Sequence, residues 1–557
     1  MKSHNHILLL ALLALLALIA AACAGQPIPA APQATLPAAT NPPAATSASA
    51  ATSAPTSAPA ATSAPAATSA PSGSAGVTVK IAIGDPCGQS NSLDPKNQPG
   101  AECSVMVNQV YNRLLDKDSQ FQVHPELAES FEHNADATEW TFHLRKGVKF
   151  HDGKDFTAKD VVFTFKRLLD PNQKSEAASQ LAFLDPNGIT AQDDYTVVFK
   201  TPKPVAELPG LITIKNTFIV PDGASDQDIA TKGIGTGPFM AVDFQPVQTP
   251  HVFVKNPNYW EAGLPKADRL EFYTIAEGTT AVAALQSGQV DLLQQVDFAS
   301  LPAIKNDPNI TLVQSGPSTS LLLVMWTDTA PFNDNRVRMA FKKLINRQQV
   351  VDTAWLGYGV IGDDNPIDPS SPYAWRKEVP PRDVEGAKKL LADAGYNESN
   401  PLKVDLYTTD NLPGQVAIAQ IFKENAADAG VQVNVITGPA SEYWDNVWLK
   451  QPFVVSAHVN RPPGEAIGLS FRSNSKYPET HWFHPEFDAL LDQANTTVDD
   501  AARLKLYQQI EQQITEQGGD IFEGKYFTVA GVRKNCGGYT PHAQISRFDS
   551  RNITCTK

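Results

Sequence analysis

Cysteines and histidines have the widest chemical scope in this chain, with five of the former and eleven of the latter. Cys87 and Cys103 lie close together in sequence, as do Cys536 and Cys555. Neither pair has the CxxC spacing of a zinc site, and no histidine sits beside either. His481 and His484 are spaced for one helical turn, but the stretch "HWFHP" is not expected to be helical. No HExxH, GxSxG or Walker loop occurs, and no cysteine–histidine pair has a catalytic context. The glycines of "GTGPF", Gly235 and Gly237, precede a strand rather than link a strand to a helix, so they do not form a dinucleotide loop. These residues predict no catalytic site, no metal and no cofactor.

The N-terminus sets the compartment. Lys2 and two histidines precede an apolar run, Ile7 to Ala20, that is too short for a comfortable membrane span. The small residues of "AAACAG" follow it around Cys23. The segment reads as a secretory signal, and its end resembles a bacterial lipoprotein signal in which the cysteine becomes the lipidated N-terminus. One departure is Ala20, where such signals usually carry Leu. The simpler alternative is ordinary cleavage with Cys23 incidental. Export favours disulfides, and Cys87–Cys103 and Cys536–Cys555 are the expected bonds. From Ala24 to about Gly76 the composition falls to Ala, Pro, Ser and Thr, too poor in apolar residues to offset the entropy of ordering. It reads as a Pro-rich, extended tether.

The remainder can build large cores, since 42% of the 557 residues are hydrophobic. A net charge of −14 argues against nucleic acid as a partner, because phosphate binding needs a basic surface. The stretch "TFHLRKGVKFHDGKDFTAKDVVFTFKRLL", Thr141 to Leu169, switches from strand alternation to helical spacing. Asp152-Gly153 marks the turn between them. Thr157 and Asp160 are placed as a capping box, and Val161, Val162, Phe165, Leu168 and Leu169 follow on one helical face. Strands are predicted at Val77–Ile83, Tyr195–Thr201 and in "HVFVK", and a helix around Val105 to Leu115. Further helices are predicted in "GTTAVAALQSG", capped by Gly288, in "NDNRVRMAFKKLINRQQVV" after Asp334 or Asn335, and in "VEGAKKLLADAGY", ended by Gly395. From Pro401 to Thr437 the pattern is β-α-β, which favours parallel pairing. Two more helices are predicted between Pro485 and Gln517.

These segments, in this order, resemble extracytoplasmic solute-binding protein family 5, which serves peptide, opine and nickel importers of the ATP-binding-cassette type. The resemblance runs from about Val77 to Tyr539. It rests on "FHLRKGVKFHDG…FTAKDVVFTF", "GTGPF", "NPNYW", "AALQSGQVD", "VRMAFKKLINRQQVV", "AKKLLADAGY" and "FDALLDQA…R…LYQQIEQQI". It implies an α/β, two-lobed periplasmic-binding-protein-like fold (type II, cluster C) with an extra domain in the first lobe. Lobe I would take 77–112, 236–326 and 527–557, the extra subdomain 113–235, and lobe II 327–526. Residues 1–22 would be the signal peptide and 23–76 the lipidated cysteine and disordered linker. Both disulfides would then staple lobe I.

The resemblance implies a non-enzymatic protein that closes on a ligand between lobes. Candidate anchors are Glu102, Tyr358, Asp363, His458, Asn460, Arg461, Glu465 and Trp482, from the loops where the family places its ligand. Trp444 and Trp448, one helical turn apart, read as packing. Peptide binders of the family carry a Trp and then an Asp in the segment that here reads "HVNRPP", and no acid follows until Glu465. Arg461 in that corner points to a ligand with an anionic or accepting group. The expected function is a lipid-anchored binding protein on the outer face of the cell membrane, monomeric, delivering a peptide-like or other small polar solute to a permease. A sensor or chaperone body, or a nickel-chelate binder, are alternatives on the same fold. A secreted hydrolase would need a nucleophile–base pair that is absent.

Overall fold

The alternation at the start of the Thr141–Leu169 stretch becomes the strand Glu139–Leu144, with Trp140, Phe142 and Leu144 buried and the residues between them half-exposed. Gly153 takes φ +86° in the turn that follows. The helix Ala158–Leu169 starts as the spacing predicts: the Thr157 backbone N–H donates to Asp160 Oδ2 at 2.7 Å. Val161, Phe165 and Leu168 are buried. They pack on a four-stranded antiparallel sheet in the order Ala128–His133, Glu139–Leu144, Thr196–Lys200, Ile189–Asp193. Phe199 meets Phe165 and Phe142 edge-on at 4.9 and 5.2 Å.

This computed structural model describes residues 76–556 apart from 85–91, 99–103, 368, 370, 372, 411 and 476. The signal segment, nearly all of the linker, Cys23, Glu102 and the Cys87–Cys103 pair lie outside the described residues. Cys536 and Cys555 are joined by a disulfide between two short paired strands. Among the described residues no helix is long and apolar enough to cross a membrane.

The main sheet has twelve strands. At one end lie Gln432–Thr437, Lys403–Thr408 and Phe453–Val459; at the other lie Leu292–Leu293, Thr78–Ile83, Arg269–Thr274, His251–Lys255 and Phe239–Val242. The predicted β-α-β is present, with the helix Gln415–Ala427 between strands paired in parallel from Lys403↔Gln432 to Thr408↔Thr437. Two long strands join the ends, Ile310–Met325 and Gly524–Arg533. Residues Ile310–Gln314 of the first pair with Arg533–Val529. The register then slips around Pro317, and Thr319–Met325 pair with Val459–Phe453. The strand keeps Gly524–Arg533 along one edge as far as Thr319 and gains Phe453–Val459 along the other edge from Thr319 on, so the slip marks the seam between the two ends.

The hydrophobic cores follow this division in part. One gathers residues from Val79 to Tyr111, Phe239 to Phe272 and Ala530 to Ile553. A second runs from Leu114 to Ile219 around the four-stranded sheet. Phe218, Val220 and Ile229 join the first of these, although they lie inside the expected 113–235 segment. The helix predicted around Val105 to Leu115 stops at Val110. The Arg113 N–H is taken by the Glu126 carboxylate at 2.7 Å instead of by a helical carbonyl, and Leu115–Lys117 enters a hairpin with Val123–Pro125.

Candidate functional site

Asn460, just past the strand Phe453–Val459, meets Ile310–Met325 beside the register slip: its N–H continues the ladder by donating to Ser318 O at 2.6 Å, and its Nδ2 donates to Pro317 O at 2.9 Å. Its Oδ1 accepts from Lys525 Nζ at 2.7 Å, and its carbonyl accepts from Gln544 Nε2 at 3.1 Å. One buried amide thus ties both long strands to the C-terminal segment.

Pro462 and Pro463 follow, and a proline at the start suits the short helix Pro463–Ser470. Glu465 falls in its first turn, where a carboxylate is favoured. Arg461 Nε donates to Glu465 Oε1 at 3.1 Å, and Lys117 Nζ lies 3.8 Å from Glu465 Oε2. Burial pushes the Lys117 ammonium pKa down, and Glu465 is the first charge opposing that shift. Glu465 therefore carries one cation from its own segment and one from the hairpin across the seam.

These residues line a cavity of about 760 Å³. Its walls come from the hairpin 117–123, the sheet edge 131–133, the segment 206–211, the slip at Gly316-Pro317, the residues Ile367, Ser371 and Tyr373, the turn 460–465 and the helix start 498–503. The size is that of a cleft for an organic solute rather than for a single ion. Beyond the charged corner, Glu207 accepts from Tyr507 Oη at 2.9 Å and lies 3.4 Å from Arg503 Nε.

The expected anchors divide into two groups. Asn460, Arg461 and Glu465 come together on the cavity. Trp482, His458, Tyr358 and Asp363 lie away from its lining, each engaged by its own neighbourhood. Trp482 is buried against Phe487 at 4.8 Å in a core with Leu491 and Tyr507. His458 Nε2 pairs with Glu479 Oε1 at 3.0 Å. Tyr358 packs on the large core, and its carbonyl accepts from the Phe527 N–H at 3.0 Å. Asp363 takes two guanidinium nitrogens of Arg376 at 2.6 Å each, and burial raises its pKa. Lys117, Lys525, Glu207 and Phe131 were not foreseen, because nothing local in the sequence marks a residue that reaches across a seam.

The fold and the cleft define a two-lobed binding protein of the periplasmic type. The family model described as Bacterial extracellular solute-binding proteins, family 5 Middle, matches residues 122–473, and the chain belongs to this family. It is 30% identical over 451 residues to Heme-binding protein A of Haemophilus influenzae, covering 74% of this chain and 81% of that one. It is 27% identical to the periplasmic oligopeptide-binding protein OppA of Escherichia coli, over 87% of this chain and 94% of that one. Among solved structures, the substrate-binding protein CtaP of Listeria monocytogenes superposes with a TM-score of 0.76 at 21% identity, over 86% of this chain and all of that one. AgaA of A. tumefaciens, in complex with agropinic acid, gives 0.69 at 24% identity, over 86% of this chain and 99% of that one. Members of this family are extracytoplasmic solute-binding proteins of ATP-binding-cassette transporters and not enzymes.

Proposed function

We propose that this chain is the lipid-anchored, monomeric substrate-binding subunit of an importer, which closes on a peptide-like or other small polar organic solute and delivers it to a membrane permease. The observation that carries the reading is the cavity at the strand seam, with charged side chains from both sides meeting at Glu465. Relatives named for oligopeptides, di- and tripeptides and glutathione support the solute class. In this reading lobe I comprises 77–112, 236–326 and 527–557, the extra subdomain 113–235, and lobe II 327–526. Ligand contacts come from Asn460, Arg461 and Glu465.

Arg461 keeps guanidinium N–H groups beyond its bond to Glu465, and its side chain is about a quarter exposed. A carboxylate or other accepting group on the solute suits that fork. Native mass spectrometry of the purified protein identifies the retained solute, and calorimetry then compares the wild type with Arg461→Ala. A loss of about 2 kcal/mol is expected, the order found when one member of a closed-site charge pair is truncated. An unchanged affinity would place the solute's accepting group elsewhere.

Two acyl chains on Cys23 would hold the protein at the outer face of the membrane, since a single chain anchors only marginally. Cell fractionation of Cys23→Ser should move the protein from the membrane to the soluble fraction. A wild type already wholly soluble refutes the anchor.

A further inference from the structure

The charged corner fills one part of the cleft, and apolar side chains form patches of the remaining wall between polar ones such as Gln120, Gln122 and Ser371. Phe121 and Val123 of the hairpin, Phe131 of the sheet edge and Leu211 face the cavity, and Val498 and Tyr373 line it from the other side. All six are only partly buried. Val123, Phe131, Leu211 and Val498 pack their inner sides on one closed core and Tyr373 on another, while their outer edges leave apolar surface on the cleft wall.

Two of them are held in place. The Phe131 ring packs on Trp140 at 6.1 Å and on Phe142 at 5.9 Å, so its position is fixed by the core behind it. Phe121 sits at the hairpin tip with φ +62°, a left-handed conformation that is costly for a bulky side chain. Its N–H donates to Asp118 O at 2.9 Å, and its ring meets His542 edge-on at 6.3 Å. The hairpin keeps this strained conformation and thereby presents an aromatic ring to the cleft.

We infer that the cleft selects solutes that carry an aromatic ring or a large aliphatic group beside their charged end. This inference rests on the reading of the chain as a solute-capturing protein and deepens it. A wholly polar solute would leave the rings of Phe121 and Phe131 against water in the closed state. An apolar group would exclude that water, and the gain grows with the area covered. The polar end of the same molecule meets Arg461, Glu465 and Lys117. The class is therefore amphiphilic, a peptide-like molecule with a large apolar side chain being its simplest member.

A mixture of randomised tripeptides of equal composition is the probe. The purified full-length protein is incubated with it, unbound peptides are removed, and the retained ones are identified by mass spectrometry. Peptides bearing Phe, Leu or Ile should be enriched about tenfold over those made only of Gly, Ala and Ser, the ratio expected from burying one large apolar side chain. Phe131→Ala should reduce that enrichment severalfold. Phe121→Ala, at an exposed hairpin tip, should do the same, and it serves as the second variant should Phe131→Ala fail to fold by circular dichroism. Retention without a preference for large apolar residues overturns the inference and leaves the capture of peptide-like solutes standing. An enrichment that survives both substitutions also overturns it. Retention of no peptide at all sinks the peptide-like reading together with the inference.

Discussion

Glu511 is a carboxylate placed where water does not reach. It lies on the helix Asp500–Gln517 and is fully buried. One oxygen accepts from the Trp375 N–H at 2.9 Å, while the other has no hydrogen-bond partner among the described residues. Burial pushes its pKa up to about 8. Between the ordinary carboxylate value near 4.5 and that raised value, the folded protein holds a proton that the unfolded chain has released. The contribution of Glu511 to stability is therefore full below about pH 4.5 and falls away as the pH rises through 8. Glu511→Gln keeps an acceptor for Trp375 and removes the charge. It should be more stable than the wild type by about 4 kcal/mol at pH 8, with the difference falling below about 1 kcal/mol near pH 5. Denaturant unfolding at the two pH values measures this. Equal stability at pH 8 would mean that water reaches the carboxylate. At the cleft, by contrast, the charged residues find partners. Arg461 stands where an acid is usual, yet Glu465 restores an acid four residues on, so the corner keeps a carboxylate between two cations instead of inverting its charge.

The elements with a local cause were legible in the sequence. The capping box of Thr157 and Asp160, the β-α-β from Lys403 to Thr437 and the left-handed glycines at 288 and 395 each depend on residues a few positions apart. The long strand Ile310–Met325 was not legible. Its middle reads "SGPS", which by turn chemistry marks a loop, and only a slip in its register against Gly524–Arg533 lets a strand continue through it. Phe453–Val459 was hidden for a related reason: its C-terminal end runs straight into "NRPP", and the segment read as a binding loop. The site divided in the same way. Asn460, Arg461 and Glu465 could be picked out from one short run that departs from the family pattern. The walls opposite, from Lys117 to Leu211, belong to a hairpin and a sheet edge whose placement depends on packing between distant parts of the chain. Trp482 shows the converse, because an aromatic in an irregular segment gives no period from which to tell core from cleft, and here Phe487 and Leu491 of the next helix bury it.

At the scale of the whole molecule, the parts on either side of the cleft touch one another directly. The Ala206 N–H donates to Asn495 O at 3.3 Å. Glu207 accepts from Tyr507 Oη and faces Arg503, and Lys117 faces Glu465. Gly464 closes the same contact, since a Cβ there would come within 2.6 Å of the Tyr507 hydroxyl and 2.9 Å of Glu207 Oε2. These bonds favour the closed arrangement by themselves, and a solute then has less left to supply. Removing them should shift the population toward open forms and lower apparent affinity by the factor that the closed fraction falls. Glu207→Ala takes away the shared acceptor of Tyr507 and Arg503, a partly buried charge-assisted contact worth about 1–2 kcal/mol. That corresponds to a five- to thirtyfold change in the closed-to-open ratio. Small-angle scattering of the solute-free protein should show a larger radius of gyration for Glu207→Ala than for the wild type, and saturating solute should bring the two together. Affinity for the retained solute should fall in step. If the radius and the affinity both match the wild type, the bonds of Glu207 only decorate a closure that the two long strands hold unaided.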